Sequence, residues 1–143
     1  MFRRVFLLLS TVALAKDPVA PVFVDGKGVA IRGYDPVAYF TQSASAQGKA
    51  ELTHGYMGAT FRFASAANRD LFAADPAKYA PQFGGYCAWA VGNGYTAPTD
   101  PDAWKIVNGK LYLNYNKSIQ KKWSERMAEL IQSGEKNWPA LHK

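Results

Sequence analysis

The sequence predicts an α+β fold: a small antiparallel sheet with short helices and a C-terminal amphipathic helix packed on it. Two hairpin patterns predict the sheet, two capped segments predict short helices, and an apolar stripe at helical spacing predicts the C-terminal helix. The chain has 143 residues, of which 48% are hydrophobic and 14% aromatic. This length and composition suit one domain with its own core.

Besides a short pair at residues 22–24 and 29–31 around an Asp25-Gly26 turn, two pairs of strands are predicted, each joined by a tight turn. Residues 51–56 and 59–63 alternate apolar and polar side chains on either side of a short turn, as expected for a sheet with one buried face. Residues 104–107 and 111–115 flank Asn108-Gly109, a pair that readily adopts the two positive φ angles of a two-residue hairpin turn. Both pairs are therefore expected to be antiparallel.

Three helices are predicted from caps and periodicity. Asp35 precedes Pro36 and is placed to cap a short helix that ends near Thr41. Ser65 is placed to cap a helix over residues 66–74, with Leu71 and Phe72 directed inward. A single helix is predicted over residues 117–132. Its apolar stripe comprises Ile119, Trp123, Met127, Leu130 and Ile131.

The N-terminus has the pattern of an export signal. Arg3 and Arg4 precede an apolar run over residues 5–15, which ends in the small residues of Ala13-Leu14-Ala15. This run is too short to cross a bilayer as a helix, so cleavage after Ala15 is expected. The prediction is a signal peptide over residues 1–15 and a single domain over residues 16–143. The mature protein is then periplasmic or secreted and has no integral membrane segment.

The charge of the chain is mildly basic. It has a formal net charge of +6, and lysines are frequent near the C-terminus. A nucleic-acid partner is not expected, because the chain has an export pattern and none of the recognised binding motifs. A single Cys and two His also exclude an internal disulfide, a zinc-finger framework and c-type haem attachment.

Four stretches of the mature chain carry a family resemblance: residues 33–40, 56–72, 75–88 and 109–114. They resemble the YHS domain proteins, in the exported branch described as YHS domain-containing (seleno)proteins. In that branch, the resemblance implies that the position of Cys87 is one where some members carry selenocysteine. Many short YHS domains instead have metal-binding cysteines where this chain has Ala38, Ala64 and Asn68. A metal site of that kind is therefore not expected here.

Cys87 is the predicted catalytic residue of a thiol-dependent redox or thiol-transfer protein. The preceding Gly84-Gly85 pair permits a sharp turn whose N–H groups would stabilise a thiolate and lower its pKa. With one Cys in the chain, the partners would be an oxidant and an external thiol that resolves the oxidised sulfur. The predicted binding residues around it are Gly85, Tyr86, Trp89 and Tyr34.

Two alternatives remain open at this stage. In the first, Cys87, His54 and Met57 bind copper or another soft metal ion without catalysis, since thiolate, imidazole and thioether ligands suit such an ion. In the second, Cys87 is a buried structural residue, and an aromatic pocket or the basic C-terminal helix carries the function. No cofactor is otherwise indicated.

Overall fold

The computed structural model of the chain describes residues 17–143. The signal peptide predicted over residues 1–15 lies outside this range. Within residues 17–143 the fold contains four strands, six α-helices and two short 3₁₀ turns, at Ile31–Gly33 and Gln82–Gly85. The strands are β1 (Lys49–Tyr56), β2 (Ala59–Phe63), β3 (Asp100–Val107) and β4 (Lys110–Asn114). The helices are α1 (Ala38–Thr41), α2 (Ala66–Ala74), α3 (Pro76–Tyr79), α4 (Ala88–Gly92), α5 (Lys117–Glu125) and α6 (Met127–Leu141).

The strands form two separate antiparallel hairpins, β1–β2 and β3–β4. In the second hairpin, Asn108 and Gly109 have φ angles of 53° and 75°, the positive values that a two-residue turn of this kind requires. Met57 and Gly58 turn the first hairpin with φ angles of 50° and 81°. Both of these hairpins are therefore present, whereas the predicted strands at residues 22–24 and 29–31 are reduced to an isolated bridge between Val24 and Ala30.

The first hairpin and α2 enclose the larger part of the apolar core. Phe61 and Phe63 point from β2 toward Phe72 of α2, with ring centroids 4.8 and 5.2 Å from that ring, and all three side chains are fully buried. Asp35 is also buried, and its two carboxylate oxygens accept hydrogen bonds from the backbone N–H of Val37, Ala38 and Ala64 and from the side chain of Asn68. Asp35 thus caps α1, as predicted, and also ties α1 to the end of β2 and the start of α2.

The second hairpin and the C-terminal helices enclose the rest of the core. Trp123 of α5 is fully buried against Tyr112 of β4, with ring centroids 5.4 Å apart. Helix α6 packs closely on α4, where a Cβ added at Gly92 would lie 2.9 Å from the carbonyl oxygen of Leu130. This packing holds α4 between the hairpin and the C-terminal helices.

The α+β class is confirmed, and three details differ from the prediction. The sheet is divided into two hairpins. The C-terminal helix is divided at Arg126, whose φ of −130° and ψ of 33° are not helical, and its second half continues to Leu141. Leu71 was expected to point inward but is 43% exposed, because the core contact of α2 is made by Phe72. Among residues 17–143 we find no helix with the length and apolar character needed to span a bilayer.

Candidate functional site

Cys87 lies immediately before α4, at the end of a left-handed turn. Phe83, Gly84 and Gly85 have successive φ angles of 56°, 62° and 83°. Glycine is required at the centre of this turn, because a Cβ added at Gly84 would overlap the carbonyl oxygen of Pro21. The turn directs the chain back into the core, and the Cys87 N–H then donates to the carbonyl oxygen of Ala97 (2.9 Å).

The Cys87 sulfur is buried beside the side chain of Asn114. The cysteine is 1% exposed and the asparagine is fully buried. Cys87 Sγ lies 3.5 Å from Asn114 Oδ1, which also accepts a hydrogen bond from the backbone N–H of Trp89 (2.9 Å). The amide nitrogen of Asn114 has no hydrogen-bond partner within the described part of the chain. An acceptor already oriented by Trp89 therefore faces the sulfur, and the S–H group donates to it.

Although it is buried, Cys87 forms part of the wall of a cavity of about 240 Å³. The cavity is lined mainly by apolar and aromatic groups, and none of the described residues along it has a carboxylate, ammonium, guanidinium or imidazole group. Tyr95 and Tyr115 are 45% and 52% exposed, so the cavity reaches the surface on their side. The remaining lining residues are Trp89, Ala90, Ala97 and Ile119.

The thiol is protonated in its resting state. Burial raises the pKa of Cys87, and the backbone N–H groups of Ala90, Tyr115 and Trp89 only partly offset this rise. No charged side chain of residues 17–143 contributes to the shift. The lowered pKa expected from the Gly84-Gly85 turn is thus wrong, because the loss of hydration outweighs the backbone N–H groups and no cation is close to the sulfur.

Of the four predicted binding residues, Trp89 lines the Cys87 cavity. Gly85 and Tyr86 precede Cys87 in the chain but are used in packing: the Gly85 carbonyl accepts from the hydroxyl of Thr99 (2.7 Å), and the Tyr86 hydroxyl donates to the carbonyl of Ala20 (3.0 Å). Tyr34 packs against the core of the first hairpin and does not line this cavity. Of the predicted binding residues, Trp89 alone therefore borders the cavity beside Cys87.

The predicted metal ligands are dispersed. The His54 ring packs on Phe72, with ring centroids 5.9 Å apart, on the side of the first hairpin. Met57 is 54% exposed at the turn of that hairpin and borders a second cavity of about 230 Å³, together with His142. Cys87 does not line this second cavity. No group of three or more His, Cys, Asp and Glu side chains suited to a metal ion occurs among the described residues. The set of Cys87, His54 and Met57 is therefore not assembled.

Several residues of the site were not identified from the sequence: Tyr95, Ala97, Asn114, Tyr115 and Ile119. One signal for Asn114 was present, because this polar residue continues the apolar strand of Leu111 and Leu113 without a break. A buried amide at such a position must find hydrogen-bond partners. The other four residues carry no chemical signal in the sequence.

Comparison of the chain with models of protein families, with curated proteins and with solved structures gave no significant match.

Proposed function

We propose that the protein is a thiol-dependent redox protein in which Cys87 reacts with an apolar organic hydroperoxide and is regenerated by an external thiol. One observation carries this proposal: Cys87, the single cysteine of the chain, is among the residues that line an apolar cavity that reaches the surface between Tyr95 and Tyr115. Cys87 is buried within the protein and yet borders space that a small molecule can enter.

The cavity favours an uncharged substrate. Its described walls carry no ionised side chain, so a charged molecule would lose its hydration there and gain no ion pair in return. A volume of about 240 Å³ accommodates a small organic group. The aromatic side chains of Trp89, Tyr95 and Tyr115 offer flat apolar surface to such a group.

The proposed reaction has three balanced steps. The Cys87 sulfur first attacks the terminal oxygen of the hydroperoxide, so that the O–O bond breaks, and the thiol proton passes to the departing alkoxide, which leaves as an alcohol. Cys87 is then a sulfenic acid, and the hydroperoxide has been reduced by two electrons. An external thiol displaces water from the sulfenic acid to form a mixed disulfide. A second external thiol attacks the external sulfur of that disulfide, which releases Cys87 as a thiol and leaves a disulfide between the two external molecules.

Protonation of the resting thiol sets the pH dependence of the first step. The thiolate is the nucleophile, and burial raises the pKa of Cys87, so the rate of attack increases as the pH rises toward that pKa. The backbone N–H groups of Ala90, Tyr115 and Trp89 stabilise the negative charge as it forms on the sulfur.

The family resemblance supports the same residue. Cys87 occupies the position at which some exported YHS domain proteins carry selenocysteine, and the predicted signal peptide would deliver the mature protein to the periplasm. Since the chain has no second cysteine, the resolving thiol must come from another molecule.

The test is oxidation of the folded protein by cumene hydroperoxide, followed by intact mass and by trapping of the sulfenic acid with dimedone. We expect one dimedone adduct per chain in the wild type and none in Cys87→Ser. Ala97→Leu narrows the cavity and is expected to slow the reaction about tenfold or more, as expected for steric exclusion from a site of this size. Ala77→Leu, the same change at the other cavity, is the matched control and should react like the wild type. Equal oxidation rates in Ala97→Leu and Ala77→Leu would exclude entry of the hydroperoxide through the Cys87 cavity.

A further inference from the structure

Among the described residues, Asn114 is the one whose side chain is hydrogen-bonded to the Cys87 sulfur. Its Oδ1 lies 3.5 Å from Sγ, and its Nδ2 is buried without a partner in the described range. Buried amide nitrogens are nearly always hydrogen-bonded, because an unpaired donor carries the full cost of its desolvation. An unpaired donor in the same amide that touches a thiol therefore requires an explanation.

The orientation of this amide is determined by the backbone. The N–H of Trp89 donates to Oδ1 at 2.9 Å, and a flipped amide would place two donors against each other there. Oδ1 is thus the acceptor for both Trp89 and Cys87. An acceptor stabilises the S–H form of the sulfur and opposes the thiolate.

We propose that Asn114 is a positioning residue for Cys87: its Oδ1 holds the sulfur as a thiol at rest, and its unpaired Nδ2 donates to the oxygen of the sulfenic acid that forms on oxidation. The second half of this inference rests on the proposed function, whereas the first half concerns the resting protein alone. The partner that Nδ2 lacks in the reduced protein is then supplied by the oxygen atom that Cys87 gains. Asn114 Nδ2 is therefore hydrogen-bonded when Cys87 is oxidised and unpaired when it is reduced.

Beyond the burial that raises the pKa of Cys87, no other side chain of residues 17–143 accounts for the protonation of the sulfur. The remaining titratable side chains that line the cavity are the phenols of Tyr95 and Tyr115, both exposed. Helices α5 and α6, which pack against α4, carry the charged residues Lys117, Lys121, Lys122, Glu125, Glu129, Glu135 and Lys136, and strand β4, which also packs there, carries Lys110. All of these are exposed, and none alters the pKa of Cys87. The amide of Asn114 is the nearest side-chain group that can do so.

The test uses Asn114→Leu, which keeps most of the side-chain volume and removes both amide atoms. The rate of Cys87 alkylation by iodoacetamide is measured against pH in the folded protein. Loss of the acceptor favours the thiolate, so we expect the profile to move to lower pH and the rate at neutral pH to rise about tenfold, the equilibrium effect of one ordinary hydrogen bond. The lifetime of the dimedone-reactive sulfenic acid should fall about fivefold, because its donor is lost.

Asn68→Leu is the matched control. Asn68 is also a buried asparagine, but its Nδ2 donates to Asp35 Oδ2 at the other core (2.8 Å). We expect this variant to lose stability without any movement of the Cys87 pH profile. Asn114→Ser supplies the same measurements if the leucine variant does not fold.

The outcomes separate the inference from the proposed function. A pH profile that stays in place in Asn114→Leu and Asn114→Ser overturns the role of Oδ1, even if the wild type is oxidised. An unchanged sulfenic acid lifetime overturns the role of Nδ2. A wild type that resists cumene hydroperoxide overturns the proposed function and the role of Nδ2 with it, whereas the alkylation profile needs no oxidant and still decides the role of Oδ1.

Discussion

Replacement of Gly84 by alanine tests how the turn before Cys87 is built. Gly84 has a φ of 62°, and its carbonyl oxygen accepts a hydrogen bond from the N–H of Phe23 (2.9 Å). An added Cβ would overlap the carbonyl oxygen of Pro21 and lie 2.9 and 3.2 Å from Pro21 C and Val22 Cα. All three are backbone atoms, so no side chain can rotate to make room.

The expected loss of stability has two parts. Alanine in the left-handed region costs about 1 kcal/mol relative to glycine. Displacement of packed backbone adds about 1–3 kcal/mol, so we expect Gly84→Ala to lower the free energy of unfolding by roughly 2–4 kcal/mol. Gly58→Ala is the matched control, because Gly58 has a φ of 81° but no atom within 4 Å of an added Cβ. Gly58→Ala should lower the free energy of unfolding only by the cost of the left-handed conformation, about 1 kcal/mol.

The assay is urea unfolding of both variants and the wild type, followed by tryptophan fluorescence. The midpoints should separate while the slopes stay equal, since the denatured states are alike. Equal losses in the two glycine variants would refute the argument that close backbone contact, and not φ alone, requires glycine at position 84.

Three further predictions concern the core and its titrating groups. Asp35→Ala leaves three backbone N–H donors and one amide donor without their acceptor, so we expect a loss of roughly 3 kcal/mol in urea unfolding, against less than about 0.5 kcal/mol for the exposed Asp70→Ala. Because the pKa of Cys87 is raised, the native state holds the thiol proton more tightly than the unfolded state. The stability advantage of the wild type over Cys87→Ala is therefore complete below about pH 8.5 and should shrink as the pH rises above that value. Thermal melts of both proteins across this pH range measure the change. Trp123→Phe removes a buried Nε1–H that has no hydrogen-bond partner among the described residues, and it keeps an aromatic ring against Tyr112. The melting temperature of Trp123→Phe should therefore stay closer to that of the wild type than the melting temperature of Trp123→Ala does, and the reverse order would contradict this.

The parts of the fold that local chemistry decides could be predicted from the sequence. Asn108 and Gly109 adopt the positive φ angles expected of a hairpin turn. Ser65 accepts a hydrogen bond from the N–H of Asn68 (3.1 Å) and so caps α2. Asp35 caps α1 as expected, although its contacts with Ala64 and Asn68 extend well beyond a cap. The predicted part of each contact involves neighbours within about four positions of the residue, whereas the bonds from Asp35 to Ala64 and Asn68 were not predicted.

The parts that depend on long-range packing could not be predicted. Cys87 and Asn114 are 27 positions apart in the chain and meet only because α4 packs against the end of β4. The apolar stripe of the C-terminal segment continues across Arg126, so periodicity alone gives no sign of the break between α5 and α6. The pKa of Cys87 depends on how far tertiary packing removes water, which a Gly-Gly pair in the sequence does not report.

The proposed function requires that Cys87 in the folded protein can be reached from solvent through its apolar cavity. The measurement compares modification by a small uncharged maleimide with modification by an anionic methanethiosulfonate, in buffer and in urea. We predict that the maleimide modifies Cys87 in the native protein and that Ala97→Leu slows this reaction. The anionic reagent should react about tenfold or more slowly with the native protein than in urea, because the cavity carries no compensating charge. A thiol that reacts with neither reagent until the protein unfolds would contradict the proposed function and show that Cys87 is a structural residue of the core.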